Sequence, residues 1–343
     1  MIYIGVDLHL RFCYITVLDA SGRVLRQGSV PNISESLQAF FKVWKSPGKE
    51  EEKILLAVEA CGFWPAFVDI VEPLVERVVL VHPAKVKAIA SAKLKNDRVD
   101  SATLAQLLRA NLLPEAWKAD AATRDLRETL RTRQALVEDR TRHKNHVHAV
   151  LHQHGLHGPA SDLFGIAGRA WLVTLTLRPA ARQALDASLR MVEHLDREVQ
   201  LLDRQLHQAA KEDPDARWLM SIPGIGAFTA LLLKAEIGDI HRFPDKRSLY
   251  NYAGLVPVLR QSAGHKRSGG ITHAGSRRLR WAMSEAAMTA ARYSAGARAW
   301  FERLAKRKHP HVARTALARK LLGAVWALWT HGECFDERIF AAM

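Results

Sequence analysis

Cysteine is scarce in this chain, acids are outnumbered by bases, and long apolar runs are missing. The three cysteines, Cys13, Cys61 and Cys334, are scattered and odd in number. They form neither a disulfide framework nor a zinc-ligand pattern, which fits a reducing cytosol and a cytoplasmic location. No apolar run approaches the roughly 20 residues of a membrane span, so no membrane partner is expected. The opening residues Met1-Ile2-Tyr3-Ile4-Gly5-Val6-Asp7 lack the basic and long apolar segments of a secretory signal. Asp and Glu number 35 against 50 Lys and Arg, a formal charge of +15 with a pI near 10.0. The excess is spread along the chain and forms no low-complexity tail. That balance points to a polyanionic partner, nucleic acid first. What is present is a globular composition of 343 residues, 48% of them hydrophobic. At about 150 residues per domain this makes two or three domains with real cores.

Over the first hundred residues, apolar runs alternate with amphipathic stretches. Residues 2–6 read as a buried strand ending at Asp7, and 12–18 and 24–30 complete a meander. Ser34 opens a helix carrying Leu37, Phe40, Phe41 and Trp44. A fourth strand, 54–58, ends at Glu59. A helix near 64–75, a fifth strand at 78–81 and a helix near 84–90 follow, giving the order β-β-β-α-β-α-β-α. Lys95-Asn96-Asp97-Arg98-Val99-Asp100-Ser101 then reads as the mouth of a helix, with Asp100 or Ser101 as its cap. Asp97 and Asp100 are three residues apart, so a helix beginning by Asp97 turns both carboxylates to one side. In a sheet where the first and fourth strands are neighbours, Asp7 and Glu59 converge at the same edge. Carboxylates held together repel unless a cation or a shared proton lies between them. Four hard oxygen ligands suit Mg²⁺ or Mn²⁺, ions that serve phosphodiester chemistry.

Pro114 ends that helix. A long polar helix is expected from about Ala121 to His152, with Arg124, Arg127, Arg131, Arg133, Arg140, Arg142 and Lys144 over its faces. Acids are outnumbered there, so it reads as a basic rod for a phosphate backbone in preference to a solvated helix of internal ion pairs. His143, His146, His148, His152, His154 and His157 cluster at its end, but no acid or cysteine completes a metal pattern. A second helix near 180–210 carries Leu185, Val192, Val199 and Leu206 at seven-residue spacing, with Leu195 and Leu202 at the other seam position. This coiled-coil pattern pairs either with the basic helix or with another chain, and self-association is expected.

In the C-terminal third, Ile222-Pro223-Gly224-Ile225-Gly226 precedes a helix at 227–237 and looks like a helix-hairpin-helix. There Gly224 and Gly226 would let backbone N–H groups approach a phosphate. Beyond Asn251-Tyr252-Ala253-Gly254-Leu255-Val256-Pro257 the chain reads as a polar, glycine-rich loop containing Ser262. Lys266, Arg267, Arg277, Arg278 and Arg280 lie close to it in sequence. A serine in such company either attacks phosphorus or grips phosphate by hydrogen bonding, and residue types alone favour gripping.

Taken in order, several motifs resemble a single family. They are I-G-V-D at Asp7, V-E-A at Glu59, K-N-D-R-V-D-S-A, I-P-G-I-G, N-Y-A-G-L-V-P, and Q-S-A-G followed by G-I-T-H-A-G-S-R-R-L-R. The family is the DEDD-type insertion-sequence transposases of the IS-one-ten group, and the resemblance runs along essentially the whole chain. It implies an α/β plus α architecture. An RNase H-like, RuvC-like domain occupies residues 1–115 and a helical coiled-coil region 116–214. A mainly helical transposase domain with the helix-hairpin-helix and the serine occupies 215–343. It further implies Asp7, Glu59, Asp97 and Asp100 as ligands of Mg²⁺ (or Mn²⁺). Ser262, five residues after Pro257, becomes the nucleophile that forms a covalent phosphoserine with DNA. The implied partners are the DNA of element ends and target, a structured bridge-type guide RNA, and further copies of the chain as dimer or tetramer. The implied setting is the bacterial or archaeal cytosol, on nucleoid DNA.

Two departures from the family pattern matter. Ala263 stands where glycine is usual, and Ile271-Thr272-His273-Ala274-Gly275 lacks the two cations of I-S-K-R-G. Ser268 and Ser276 are therefore rival nucleophiles, ranked below Ser262 because they fall outside the P…SxG spacing. Acids and serine are about 160 residues apart, so they must meet by folding or across an oligomer. Two other functions compete with the transposase reading. In a RuvC-like nuclease water attacks and the serine only binds phosphate; a basic dimeric nucleic-acid binder would have vestigial acids, against which the intact set of four argues.

Overall fold

The structure, a computed structural model, describes residues 1–44, 53–89, 96–159, 162–262, 265–272 and 275–340, with only the backbone described from 259 to 268. The chain divides into two units, Met1–Lys118 and Ala119–Met343. The first contains β1 (Ile2–Leu8), β2 (Phe12–Leu18), β3 (Val24–Pro31), α1 (Ser34–Lys42), β4 (Ile54–Glu59), α2 (Trp64–Val71), β5 (Arg77–Val81), α3 (Pro83–Ile89) and α4 (Asp97–Arg109). Its strands form one mixed sheet in the order β3-β2-β1-β4-β5. β1, β2 and β3 pair antiparallel, while β1, β4 and β5 run parallel. This is the element order expected of an RNase H-like domain, with the first and fourth strands adjacent.

The central strands are covered on both faces, which is why they read as near-continuous apolar runs. Side chains alternate across a strand. Ile2, Ile4 and Val6 of β1 pack with Leu56 and Val58 of β4 against Phe41 and Phe67 of α1 and α2. On the other face, Tyr3, Leu55 and Ala57 meet Leu104 and Leu108 of α4. α4 lies unusually close to β1 because Gly5 has no side chain. A Cβ there would stand 2.1 Å from the Ser101 carbonyl oxygen and 2.5 Å from the Ala105 nitrogen. The buried Thr16 and Ser101 hydroxyls hydrogen-bond at 2.8 Å, and the Gln27 amide donates to Thr16 Oγ1 and to the Arg98 carbonyl. These contacts seat the first turn of α4 on the sheet.

The cap of α4 differs from expectation. Asn96, and neither Asp100 nor Ser101, takes the N-cap position, its side chain accepting from the Val99 N–H at 2.9 Å. Ser101 is drawn inward to Thr16 instead. The helix therefore begins at Asp97, and both aspartates fall in its first turn. Lys95, at the start of this motif, lies outside the described residues.

The second unit contains α5 (Ala121–Gln153), α6 (Ile166–Thr174), α7 (Pro179–Glu212), α8 (Pro214–Met220), α9 (Ala227–Ile237), α10 (Lys246–Ala253), β6 (Pro257–Ser262), β7 (His265–Ile271), α11 (Arg277–Tyr293), α12 (Ala295–Ala305) and α13 (Pro310–His331). α5 and α7 pack against each other. Arg133 bonds Asp203 at 2.9 Å and Arg140 bonds Asp196 at 2.8 Å. The partners step seven residues in opposite directions, so the pair is antiparallel. The seam residues Leu185, Val192, Leu195, Val199 and Leu206 are buried within this one chain. Residues 116–214, set apart in the sequence as a helical region, share a core with α8, α9, α11 and α13 through Leu130, Leu206 and Ala210.

The basic-rod reading of α5 is corrected on one face. Arg133 and Arg140 pair with α7, Arg133 also lies 4.5 Å over the Phe228 ring, and Arg127 donates to the Ala235 carbonyl. A local count of acids could not see these partners, because they come from sequence-distant α7 and α9. Ser262, expected in a polar loop, ends a strand: β6 and β7 form a two-stranded antiparallel ribbon. Polar residues on both ribbon faces leave no apolar alternation to betray a strand.

Candidate functional site

The acids meet at one edge of the sheet because register and helix seating agree. Asp7 follows Tyr3 and Gly5 on the α4 face of β1, and Glu59 follows Leu55 and Ala57 on the same face of β4. The parallel pairing runs up to Val6 opposite Val58, so Asp7 and Glu59 are the next residues on neighbouring strands. Gly5 brings the start of α4, with Asp97 and Asp100, to that edge. One ligand atom each of Asp7, His9 and Asp97 lies within 4.8 Å of the others. Glu59 and Asp100 stand outside this group at that distance. His9 Nε2 is 3.4 Å from Asp7 Oδ2 and 3.4 Å from Asp97 Oδ2.

Burial holds the Asp7 carboxyl above the usual carboxylate range. Neighbouring Asp97 and Asp100 add to that rise, and His9 opposes it. A half-buried carboxylate surrounded by others is costly when ionised, and a divalent cation removes that cost. His9 Nε2 is shielded from solvent and faces the Asp7 and Asp97 carboxylates at 3.4 Å, long for a direct hydrogen bond. The residues thus fit a small divalent cation in donor chemistry and electrostatics. His9 was missed in the sequence, although the signal was there: a D-x-H pair at a strand end puts both side chains on one face.

In the second unit the ribbon's register places Ser262 opposite His265, Gln261 opposite Lys266, and Arg260 opposite Arg267. Directly opposed residues share a face, and faces alternate along a strand. Ser262, His265, Arg260 and Arg267 therefore occupy one ribbon face, and Lys266 the other. The side chains of residues 259–268, Arg260, Ser262, His265, Lys266, Arg267 and Ser268 among them, lie outside the described residues, as do residues 263 and 264 and the His273–Ala274 part of the later motif. The rival Ser276 has a structural role: it caps α11 by accepting from the Leu279 N–H and donates to the buried Glu236 carboxylate at 2.7 Å.

The two glycines of the I-P-G-I-G turn part company. Gly224 has φ +86°, and a Cβ there would lie 2.2 Å from the Ala286 carbonyl oxygen. Its bare face is pressed on α11, so internal packing, and not phosphate, demands the glycine. Gly226 precedes α9 in extended backbone with open space around it. Of the basic residues singled out, Arg131 and Arg277 are exposed. Arg124 is half-buried and reaches the Ala119 carbonyl, Arg280 donates to the Ala253 carbonyl, and Arg278 is half-buried at the start of α11.

A mixed sheet with acids at the ends of its first and fourth strands and at a following helix is consistent with an RNase H-like DEDD domain, and comparison with known proteins places it in an enzyme of DNA transposition. Residues 4–155 match the family model of the DEDD transposases of the IS110 type, and residues 216–302 match that of the transposase IS116/IS110/IS902 family. The chain belongs to this IS110/IS116 family of DNA transposases. It is 28% identical over 294 residues to the transposase for insertion sequence element IS1328 of Yersinia enterocolitica, covering 82% of this chain and 86% of that protein. It is 26% identical over 291 residues to the transposase for insertion sequence element IS1111A of Coxiella burnetii, covering 82% and 79%. A shorter match, 34% over 145 residues, joins it to the mini-circle putative transposase for IS117 of Streptomyces coelicolor, covering 41% and 35%. Among the described residues, no helix is long and apolar enough to cross a membrane.

Proposed function

We propose that this transposase excises and inserts its element by serine attack on DNA phosphodiesters, assisted by a divalent cation at Asp7, Glu59, Asp97 and Asp100. The observation that carries the reading is the convergence of Asp7, His9 and Asp97 at the sheet edge inside the family-matched region. Bound there, Mg²⁺ or Mn²⁺ supplies positive charge for the phosphate and for the departing 3′-oxygen. The acids orient that charge, and the seating of α4 on Gly5 holds them in place.

Ser262 Oγ gives up its proton and bonds to phosphorus as the P–O3′ bond breaks, and the departing 3′-oxygen takes up a proton to leave as a hydroxyl. The 3′-hydroxyl of the new partner strand later attacks the phosphoserine and returns the serine, so no external energy source is needed. The backbone register that groups Arg260 and Arg267 with Ser262 supports the assignment, because basic residue types at those positions suit a phosphate. Gly226, Arg131 and Arg277 are the proposed backbone contacts beyond the ribbon, with Lys266 on its far face. Acids and serine act on one phosphate either within a chain or across a dimer or tetramer. Selection of DNA by a bridge-type RNA rests on the family resemblance and on the net charge of +15. Equal site choice by RNase-treated protein without added RNA would remove it.

The test is a covalent-adduct assay. Protein, element-end DNA, the candidate RNA and Mg²⁺ are mixed and resolved on a denaturing gel. The expected result is DNA-linked protein, absent in Ser262→Ala and in Asp97→Ala. An adduct that survives in Ser262→Ala moves the nucleophile to Ser268 or Ser276. Metal-dependent cleavage without an adduct, unchanged in Ser262→Ala, establishes the water-using nuclease instead.

A further inference from the structure

We infer that His9 is a direct nitrogen ligand of the cation, so that this centre has mixed nitrogen and oxygen donors and prefers Mn²⁺ to Mg²⁺. The inference rests on the metal-site reading above and adds a residue outside its four acids. Three observations lead to it. First, the separations suit a shared ion. Two ligands at right angles around a small octahedral cation, each about 2.1 Å away, are about 3.0 Å apart. His9 Nε2 stands 3.4 Å from one oxygen of Asp7 and 3.4 Å from one of Asp97, a few tenths of an ångström from that value on both sides.

Second, the nitrogen atom is shielded from solvent on a half-exposed ring, and the groups beside it are carboxylate oxygens at distances long for a direct hydrogen bond. It faces the two carboxylates whose repulsion the cation relieves. Third, the ring is held ready. The His9 N–H donates to the Phe12 carbonyl at 2.9 Å, its own carbonyl accepts from the Asn32 side chain at 3.0 Å, and the imidazole stacks on Phe12 with centroids 4.6 Å apart. The backbone of the β1–β2 turn and an aromatic neighbour thus fix where Nε2 points. A lone exposed histidine has no such support.

The chemical consequence is selectivity. Mg²⁺ strongly prefers oxygen and retains its waters, whereas imidazole favours transition ions. Replacing one oxygen or water by Nε2 therefore raises affinity for Mn²⁺ relative to Mg²⁺. The imidazole must be neutral to bind, with its other nitrogen carrying the hydrogen.

Pulsed electron paramagnetic resonance of the full chain loaded with Mn²⁺ tests this without catalysis. The expected spectrum shows ¹⁴N coupling from a directly bound imidazole in the unmodified protein. His9→Ala should lose the coupling and bind Mn²⁺ on the order of tenfold more weakly, with a smaller change for Mg²⁺ measured by competition. Stoichiometric Mn²⁺ binding that is abolished by Asp7→Asn but shows no ¹⁴N coupling would overturn the role of His9 and leave the acid site standing. Failure to bind Mn²⁺, or binding indifferent to both Asp7→Asn and Asp97→Asn, would overturn the acid site and the His9 inference together. The spectrum of the unmodified protein decides the point even if a variant fails to fold.

Discussion

The sheet edge of the first unit and the ribbon of the second build their chemistry in opposite ways. At the edge, carboxylates from residues 7, 59, 97 and 100 are carried by a five-stranded sheet covered on both faces, with a helix backbone resting on Gly5. Each position follows from register and from close packing. The ribbon has two strands and, among the described residues, no further sheet partner, and its grouping of Ser262 with Arg260, His265 and Arg267 comes from cross-strand pairing alone. Two-stranded hairpins are marginal in isolation. The contrast teaches that the proposed ion site rests on tertiary packing, while the proposed nucleophile is placed by local strand pairing.

The largest effects should come from the chemical groups themselves. Asp97→Asn should lower strand cleavage on the order of 10³-fold or more, as should Ser262→Ala. Only the first should also abolish Mn²⁺ binding, measured by electron paramagnetic resonance; loss of Mn²⁺ binding in Ser262→Ala would break the separation of the two sites.

Next come the glycines that permit close approach. Gly5→Ala must push α4 from β1 and should lower unfolding stability by about 3 kcal/mol, with weakened cation binding. Gly224→Ala, strained by its positive φ and its contact with Ala286, should destabilise by a similar amount in denaturant titrations, about 3 kcal/mol. Gly226→Ala has room and an extended backbone, so its unfolding midpoint should move little. A large loss there would show that the open turn is packed in the working protein.

A smaller effect is expected at the hydroxyl pair under α4. Thr16→Val leaves the Ser101 hydroxyl and the Gln27 amide short of a partner and should cost about 1–3 kcal/mol in chemical denaturation. The smallest expectation concerns thiols. Burial pushes Cys13 up to about 12, while Cys334 is exposed. The unfolded thiol ionises in the ordinary thiol range while the folded one stays neutral up to about 12, so stability should fall as pH rises through that window. At pH 8 a thiol reagent should modify Cys334 quickly and Cys13 only after denaturation; rapid labelling of Cys13 would mean that the sheet opens readily.

Much of the first unit was legible from residues alone, because strands buried on both faces leave uninterrupted apolar runs and strand-end acids mark where they stop. Asp7 and Glu59 were read that way, and Asp97 and Asp100 from the helix start that follows. His9 was not, because the alternation that puts it on the face of Asp7 does not say what else meets that face. Its meaning comes from two carboxylates, one of them 88 residues onward in the chain. Asn96 was passed over as a cap because Asp100 and Ser101 offered equally good capping chemistry, and only the pull of Thr16 on Ser101 removed one of them.

Local chemistry in the chain determined the element order, the heptad seam of α7 and the basic character of the molecule, since each depends on residues within a few turns or strands. Tertiary structure decided which arginines of α5 are consumed by Asp196, Asp203 and the Ala235 carbonyl, and that the seam closes on α5 within one chain. It also decided that Gly224 serves α11 while Gly226 stays open. These outcomes depend on groups tens of residues away whose distance is set by packing, and periodicity along a single chain carries no record of that distance.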